Sequence, residues 1–181
     1  MLFRSDPKRS VVKGGSAGGF VVLAALAFQK EVFAAGINYF GVSDMAVLAR
    51  DTHKFESRYL DTLVGPLPQA EAIYAKRSPL SAVGNIRAPL LTLQGLEDKI
   101  VPPQQSAAIM ARVEANGVPA AYLAFEGEGH GFRGAQAKQQ SLQAELSFLG
   151  QVLGFTPADS VPRLKLRNMD LHNKAPHNKE Q

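Results

Sequence analysis

A chain of 181 residues with 45% hydrophobic and 20% charged residues has the size of one domain and the composition of a folded soluble protein, which excludes a disordered chain. It contains no cysteine, so disulfides and thiolate metal sites are excluded and the redox compartment stays open. The formal net charge is +4, but the basic residues gather at the two ends (Arg4, Lys8, Arg9 and Lys13; Arg163, Lys165, Arg167, Lys174 and Lys179), and no basic stripe interleaved with aromatics marks a nucleic-acid surface.

Val11 and Val12 read as a short buried strand that runs into the turn GGSAGG at 14–19. Residues 17–30, rich in Ala and Leu, read as a helix. The basic residues ahead of the apolar run 20–28, with small residues at 34–36, also fit an export signal. Asp6 and Pro7 in the basic part and Gln29-Lys30-Glu31 after the apolar run count against that reading. The run is far short of the ~20 residues that span a bilayer; no membrane partner is expected, and the cytoplasm is the expected compartment. VFAAGINYFG at 32–41 is again apolar and β-prone, and 44–80 carries helical patterning with several charges, closed by Ser78-Pro79. PLLTLQG at 89–95 is a strand ending at a glycine. Pro102-Pro103 opens a helix through Ala115, which Asn116-Gly117 closes. AYLAF at 121–125 is a fourth strand, 135–153 a closing helix, and 156–181 a polar, proline-containing tail expected to be partly disordered, above all at its end HNKAPHNKEQ. Residues 1–155 therefore form the expected domain.

Strand alternating with helix four times predicts an α/β protein with about four mainly parallel strands and flanking helices. In such sheets ligands and chemistry collect beyond the carboxyl ends of the strands. That rule singles out the loops at 14–19, 94–101 and 126–132, which hold Ser16, Asp98 and His130. Gly14-Gly15-Ser16-Ala17-Gly18 satisfies G-x-S-x-G, a tight strand-to-helix turn that holds a serine hydroxyl above the sheet. At that helix N-terminus the backbone N–H of Ala17 is free to stabilise an oxyanion. A serine hydroxyl becomes nucleophilic only when a base takes its proton, and a histidine serves best when a carboxylate orients it. The chain order Ser, Asp, His is the order this fold uses. A phosphate-binding loop would need Lys-Ser/Thr after the last glycine, where Gly19-Phe20 stands instead. Taken singly, Asp98 could cap the following helix and His130 could be a loop histidine held by backbone. His53, two residues from Asp51, reads as a structural histidine, and His172 and His177 in the tail lack further ligands for a metal. No metal and no cofactor is expected.

With these residues placed, the sequence resembles the catalytic domain of the prolyl oligopeptidase family of serine peptidases, within it the dipeptidyl-peptidase and acylaminoacyl-peptidase branch. The resemblance lies in GGSAGGF, KFESRYLDTLVGP, RSPLSAVGNIRAPLLTLQGLEDKIVPP and YLAFEGEGHGFR and covers residues from about Asp6 to Phe155. It implies an α/β-hydrolase fold, with Ser16 as nucleophile, His130 as general base and Asp98 as its partner. It also implies Phe55, Tyr59 and Val101 as lining for the substrate residue before the scissile bond, although aromatics four apart on a helix also form an ordinary core face. Two departures stand out. Gln94-Gly95 occupies a place where many members have His-Gly, and only about fifteen residues precede Ser16. The resemblance thus implies the C-terminal half of the hydrolase domain, N-terminally truncated, without the upstream loop that gives a second oxyanion donor. The strand at Val11-Val12 is then expected to keep an unpaired edge, inviting self-association or a complementary N-terminal half. Two readings of function follow: a serine peptidase acting on short peptides through an acyl-enzyme, or on esters; or a fragment that keeps the triad but lacks a finished active site.

Overall fold

The computed structural model describes residues 6–29, 31–51 and 58–170. Four strands, β1 (Val11–Gly15), β2 (Ala35–Tyr39), β3 (Leu90–Gly95) and β4 (Ala120–Phe125), form one sheet in the order β1-β2-β3-β4. All three neighbouring pairs are parallel. Parallel neighbours need crossovers, and the intervening segments supply them: α1 (Ala17–Phe28) after β1; α2 (Met45–Asp51), α3 (Tyr59–Leu63), α4 (Glu71–Arg77) and a 3-10 stretch (Pro79–Asn85) after β2; and α5 (Pro103–Ala115) after β3, while α6 (Ala135–Leu153) follows β4, the last strand.

The helices cover both faces, which is why the strands read as continuous apolar runs and not as alternating ones. On one face, Val22, Leu23 and Leu26 of α1 and Ile109, Met110 and Val113 of α5 pack with Ile86 and Leu90. On the other, Phe148 and Ala137 of α6 close over Ile37, Leu91, Leu93 and Phe125. All six residues of β3 are buried, as expected of an interior strand. The apolar run that composition alone could give to an export signal is α1, with Val22 and Leu23 fully buried against the sheet.

The segment after β2 is more broken than its patterning suggests. Gly65-Pro66-Leu67-Pro68 separates α3 from α4, because proline offers no N–H for a helical hydrogen bond and clashes with the preceding turn. Distant polar contacts hold this segment to α5. The buried Gln105 side chain accepts from the N–H groups of Ser43 and Asp44 and donates to the Asp44 carbonyl. Residues 156–170, read from sequence as the start of a polar tail, lie on the domain: Leu164 and Leu166 pack on the α6 face, and Arg167 pairs with Ala120 at the free side of β4. β1 forms the opposite edge and, among the described residues, pairs with β2 alone. The end of the chain at 171–181, with His172 and His177, lies outside the described residues, as do His53 and Phe55. No helix among the described residues is long and apolar enough to cross a membrane.

Candidate active site

Beyond the carboxyl ends of β1, β3 and β4 the chain brings Ser16, Asp98 and His130 into one hydrogen-bonded row. Ser16 sits where β1 turns into α1, with φ 55° and ψ −119°, a conformation that costs a residue with a side chain about 1–3 kcal/mol. Its backbone is fixed at both ends: its N–H donates to Tyr39 O at 2.9 Å, and its carbonyl accepts from Phe20 N at 2.9 Å. The turn is tight because strand end and helix start nearly touch. A methyl group at Gly14 would collide with the Gly18 backbone, and one at Gly19 would meet Asn38 Oδ1 and the Gly41 backbone. Nothing lies within 4 Å of a Cβ placed at Gly18, so the bulk limit falls on Gly14 and Gly19.

A serine at a helix N-cap usually turns its hydroxyl onto the first-turn N–H groups. Ser16 makes no such cap. Its Oγ lies 2.8 Å from His130 Nε2, and His130 Nδ1 lies 2.9 Å from Asp98 Oδ2. A carboxylate can only accept, so the proton sits on Nδ1, and Nε2 is left as the acceptor for the serine O–H. The uncapped helix end leaves N–H groups of its first turn, that of Ala17 included, without helical partners.

Asp98 is buried, its side chain fully so, while the His130 side chain is 23% exposed. Asp98 Oδ1 accepts from the N–H groups of Ile100 and Val101, each at 2.9 Å. Burial pushes the carboxyl's pKa up, but the hydrogen bond from His130, the N–H of Val101, the charge His130 can carry and the N–H of Ile100 outweigh it and hold Asp98 below the usual carboxylate range. Asp98 therefore stays ionised where histidines titrate. The histidine loop is braced twice. Glu128, buried, accepts from Arg133 N at 2.7 Å and Gly134 N at 2.8 Å, which places its charge at the N-terminus of α6. Phe40 lies against the imidazole with ring centres 4.9 Å apart and packs on Phe132, which in turn packs on Phe125.

Of the three residues expected to line a substrate pocket, Phe55 is outside the described residues, Tyr59 is exposed on α3, and Val101 is buried with its N–H on Asp98. Phe40 and Glu128 were not singled out by sequence. Phe40 stands at the carboxyl end of β2, the one strand end the loop rule was not applied to, and its φ of 39° is unusual for a residue with a side chain. Glu128 lies between glycines in the stretch EGEGHG. Among the described residues no group of three His, Cys, Asp or Glu side chains is placed to hold a metal ion.

The sequence profile of the prolyl oligopeptidase family matches residues 2–156. The chain belongs to that family. Its fold is accordingly that of the α/β-hydrolase peptidases. Among curated relatives, this prolyl oligopeptidase family member is 30% identical over 148 residues to dipeptidyl aminopeptidase BIII of Pseudoxanthomonas mexicana, covering 79% of this chain and 22% of the relative. Among solved structures it is similar to a Mycobacterium tuberculosis puromycin-hydrolysing peptidase, with 48% identity and a TM-score of 0.85 over 90% of this chain and 24% of that one. It is also similar to Pyrococcus horikoshii acylaminoacyl peptidase, with 25% identity and a TM-score of 0.76 over 86% of this chain and 25% of that one. The chain thus spans about a quarter or less of the length of these relatives.

Proposed function

We propose that this chain carries the nucleophile, base and orienting carboxylate of a serine peptidase acting on short peptides. The observation that carries the reading is the 2.8 Å contact of an uncapping serine hydroxyl with His130 Nε2, in line with a buried, ionised Asp98. Ser16 Oγ attacks the substrate carbonyl carbon while its proton passes to His130 Nε2. Asp98 stabilises the imidazolium that results. The carbonyl oxygen, now an oxyanion, is met by the N–H of Ala17. His130 then returns the proton to the leaving amine as the C–N bond breaks, which leaves the acyl group on Ser16. Water, deprotonated by the same histidine, releases the acid and restores the serine.

Membership of a peptidase family supports amide hydrolysis over a general esterase role, and the likeness to a puromycin-hydrolysing peptidase makes puromycin a substrate to offer beside dipeptide anilides. The test is a fluorophosphonate probe on the purified chain, with peptide mapping of the label, and hydrolysis of those substrates and of a p-nitrophenyl ester. Label is expected on Ser16 and is expected to vanish in Ser16→Ala, together with hydrolysis, a loss on the order of 10⁶ in rate when a nucleophile is removed. An unlabelled wild-type chain would favour the other reading, a fold that holds the three residues without a finished active site.

A further inference from the structure

Gln94, next to last in β3, is fully buried. A buried primary amide is costly unless its donors and acceptor are met. Here Nε2 faces three oxygens: Gly95 O at 3.1 Å, Asp98 Oδ2 at 3.2 Å and Val101 O at 3.3 Å. On the other side, the hydroxyl of the buried Ser106 on α5 donates to Gln94 Oε1 at 2.8 Å. All three oxygens around Nε2 can only accept, so the amide has one workable orientation and cannot flip.

We infer that Gln94 is a positioning residue: clamped by Ser106, its amide shares Asp98 Oδ2 with His130 Nδ1 and so sets the line and strength of the histidine–aspartate contact. Oδ1 is already tied to the loop by two backbone N–H groups. The rotation left to the carboxylate would swing Oδ2, and Oδ2 is held at two points, by Gln94 Nε2 at 3.2 Å and by His130 Nδ1 at 2.9 Å. Gln94 also draws part of the charge of Oδ2 away from the histidine. Among the described residues, Glu97 and Lys99, the chain neighbours of Asp98, are exposed, and the Glu128 carboxylate is bound to the N–H groups of Arg133 and Gly134.

This inference rests on the proposed roles of Ser16, His130 and Asp98 for its kinetic consequences, but its structural core does not need turnover. The experiment is Gln94→Met in the full chain, a change that keeps length and apolar bulk and removes the donor. The first readout is the low-field proton resonance of His130 Nδ1–H, assigned by labelled histidine and by its loss in His130→Gln. With one competitor for Oδ2 gone, the bond from the imidazole strengthens and the resonance is expected to move to lower field. In the kinetics, the acid limb of the pH profile is expected to move to higher pH with KM nearly unchanged, so that kcat measured on that limb falls by about tenfold for each unit of the move. If Gln94→Met does not fold, Ser106→Ala, which leaves the amide in place but unclamped, is expected to give a smaller shift in the same direction. A folded variant with the resonance, kcat and acid limb all unchanged would overturn the inference. A wild-type chain that neither hydrolyses nor takes the fluorophosphonate would sink the proposed function alone, because the resonance still decides the part played by Gln94.

Discussion

Asp98 and Glu145 are both carboxylates taken almost wholly out of water, 4% and 9% exposed, against the same sheet. Asp98 sits in the loop beyond β3, and Glu145 on α6 where it reaches Lys13 of β1 and Tyr39 of β2. Glu145 is answered by a fixed cation and a phenol: Lys13 Nζ lies 2.6 Å from Oε1 and 2.8 Å from Oε2, and the Tyr39 hydroxyl donates to Oε1 at 2.6 Å. Burial raises the pKa of Tyr39, and the hydrogen bond to Glu145 and its charge add to that, so the phenol keeps its proton. Among the described residues no lysine or arginine pairs with Asp98. Its partners are N–H groups of the loop and of Gln94, and a histidine that becomes positive only on taking a proton. Burial alone therefore does not mark a carboxylate for chemistry. The sign of the difference lies in whether its counter-charge is already present or still to appear.

The same isosteric change at both carboxylates sets them furthest apart. In Asp98→Asn the oxygen must face the N–H groups of Ile100 and Val101, which puts the new NH₂ toward His130 Nδ1 and Gln94. The imidazole can then only accept at Nδ1, so its proton moves to Nε2, where it can no longer take one from Ser16. Hydrolysis is expected to fall by about 10⁴, the loss that the wrong tautomer causes in serine proteases. Glu145→Gln is expected to keep kcat/KM within about threefold of wild type, because the partners of Glu145 are Lys13 and Tyr39 and none of Ser16, His130 or Asp98. Steady-state kinetics on a dipeptide anilide measure both, and equal losses would end the distinction.

How far the sequence alone leads can be judged at the same two places. The loop residues were legible because GGSAGG, the strand end at Gly95 and the strand end at Phe125 carry local signals, and the parallel-sheet rule joins them. Helices α5 and α6 were legible because proline, asparagine and glycine punctuate them, with Gly117 at φ 75° closing α5. The Lys13–Tyr39–Glu145 cluster was not, since its members lie more than a hundred residues apart from strand to helix. Gln94 stood out in the sequence only as a departure from His-Gly outside the three site residues, and its clamp by Ser106, which the fold brings over it from α5, has no local signal. The short helices in 44–80 and the packing of 156–170 escaped for a like reason: the contacts of Gln105 with Ser43 and Asp44, and of Asn168 with the carbonyls of Glu114 and Val118, have no periodic signature.

The pH dependence sharpens the contrast further. If His130 is the base it must be neutral to accept the serine proton, so kcat/KM is expected to rise with pH along an acid limb, by about tenfold per unit. Asp98, held below the usual carboxylate range, stays ionised throughout and adds no second limb there. Glu145→Gln should leave this profile where it is. A flat wild-type profile between about pH 5 and 8 would remove His130 from the reaction as its base.

The smallest effect concerns stability, and it tests whether the Glu145 cluster is a clasp and nothing more. The Lys13 side chain is 50% exposed, so when the carboxylate is lost its ammonium returns to water and the ion pair accounts for at most ~1 kcal/mol. In Glu145→Gln the amide oxygen still accepts from Tyr39, and a destabilisation of about 1 kcal/mol is expected. Glu145→Leu leaves the half-buried phenol without that acceptor, which adds a desolvation penalty of ~1–3 kcal/mol for an unmet polar group. The order wild type, Gln, Leu should appear in urea unfolding midpoints at constant m, since neither change alters the surface exposed on unfolding. If Leu were instead as stable as Gln, Tyr39 would have found another acceptor, with the Ser141 hydroxyl, which is within hydrogen-bonding reach of the phenol, a candidate on α6. The double variant Glu145→Leu, Ser141→Ala would then lose what the single change kept.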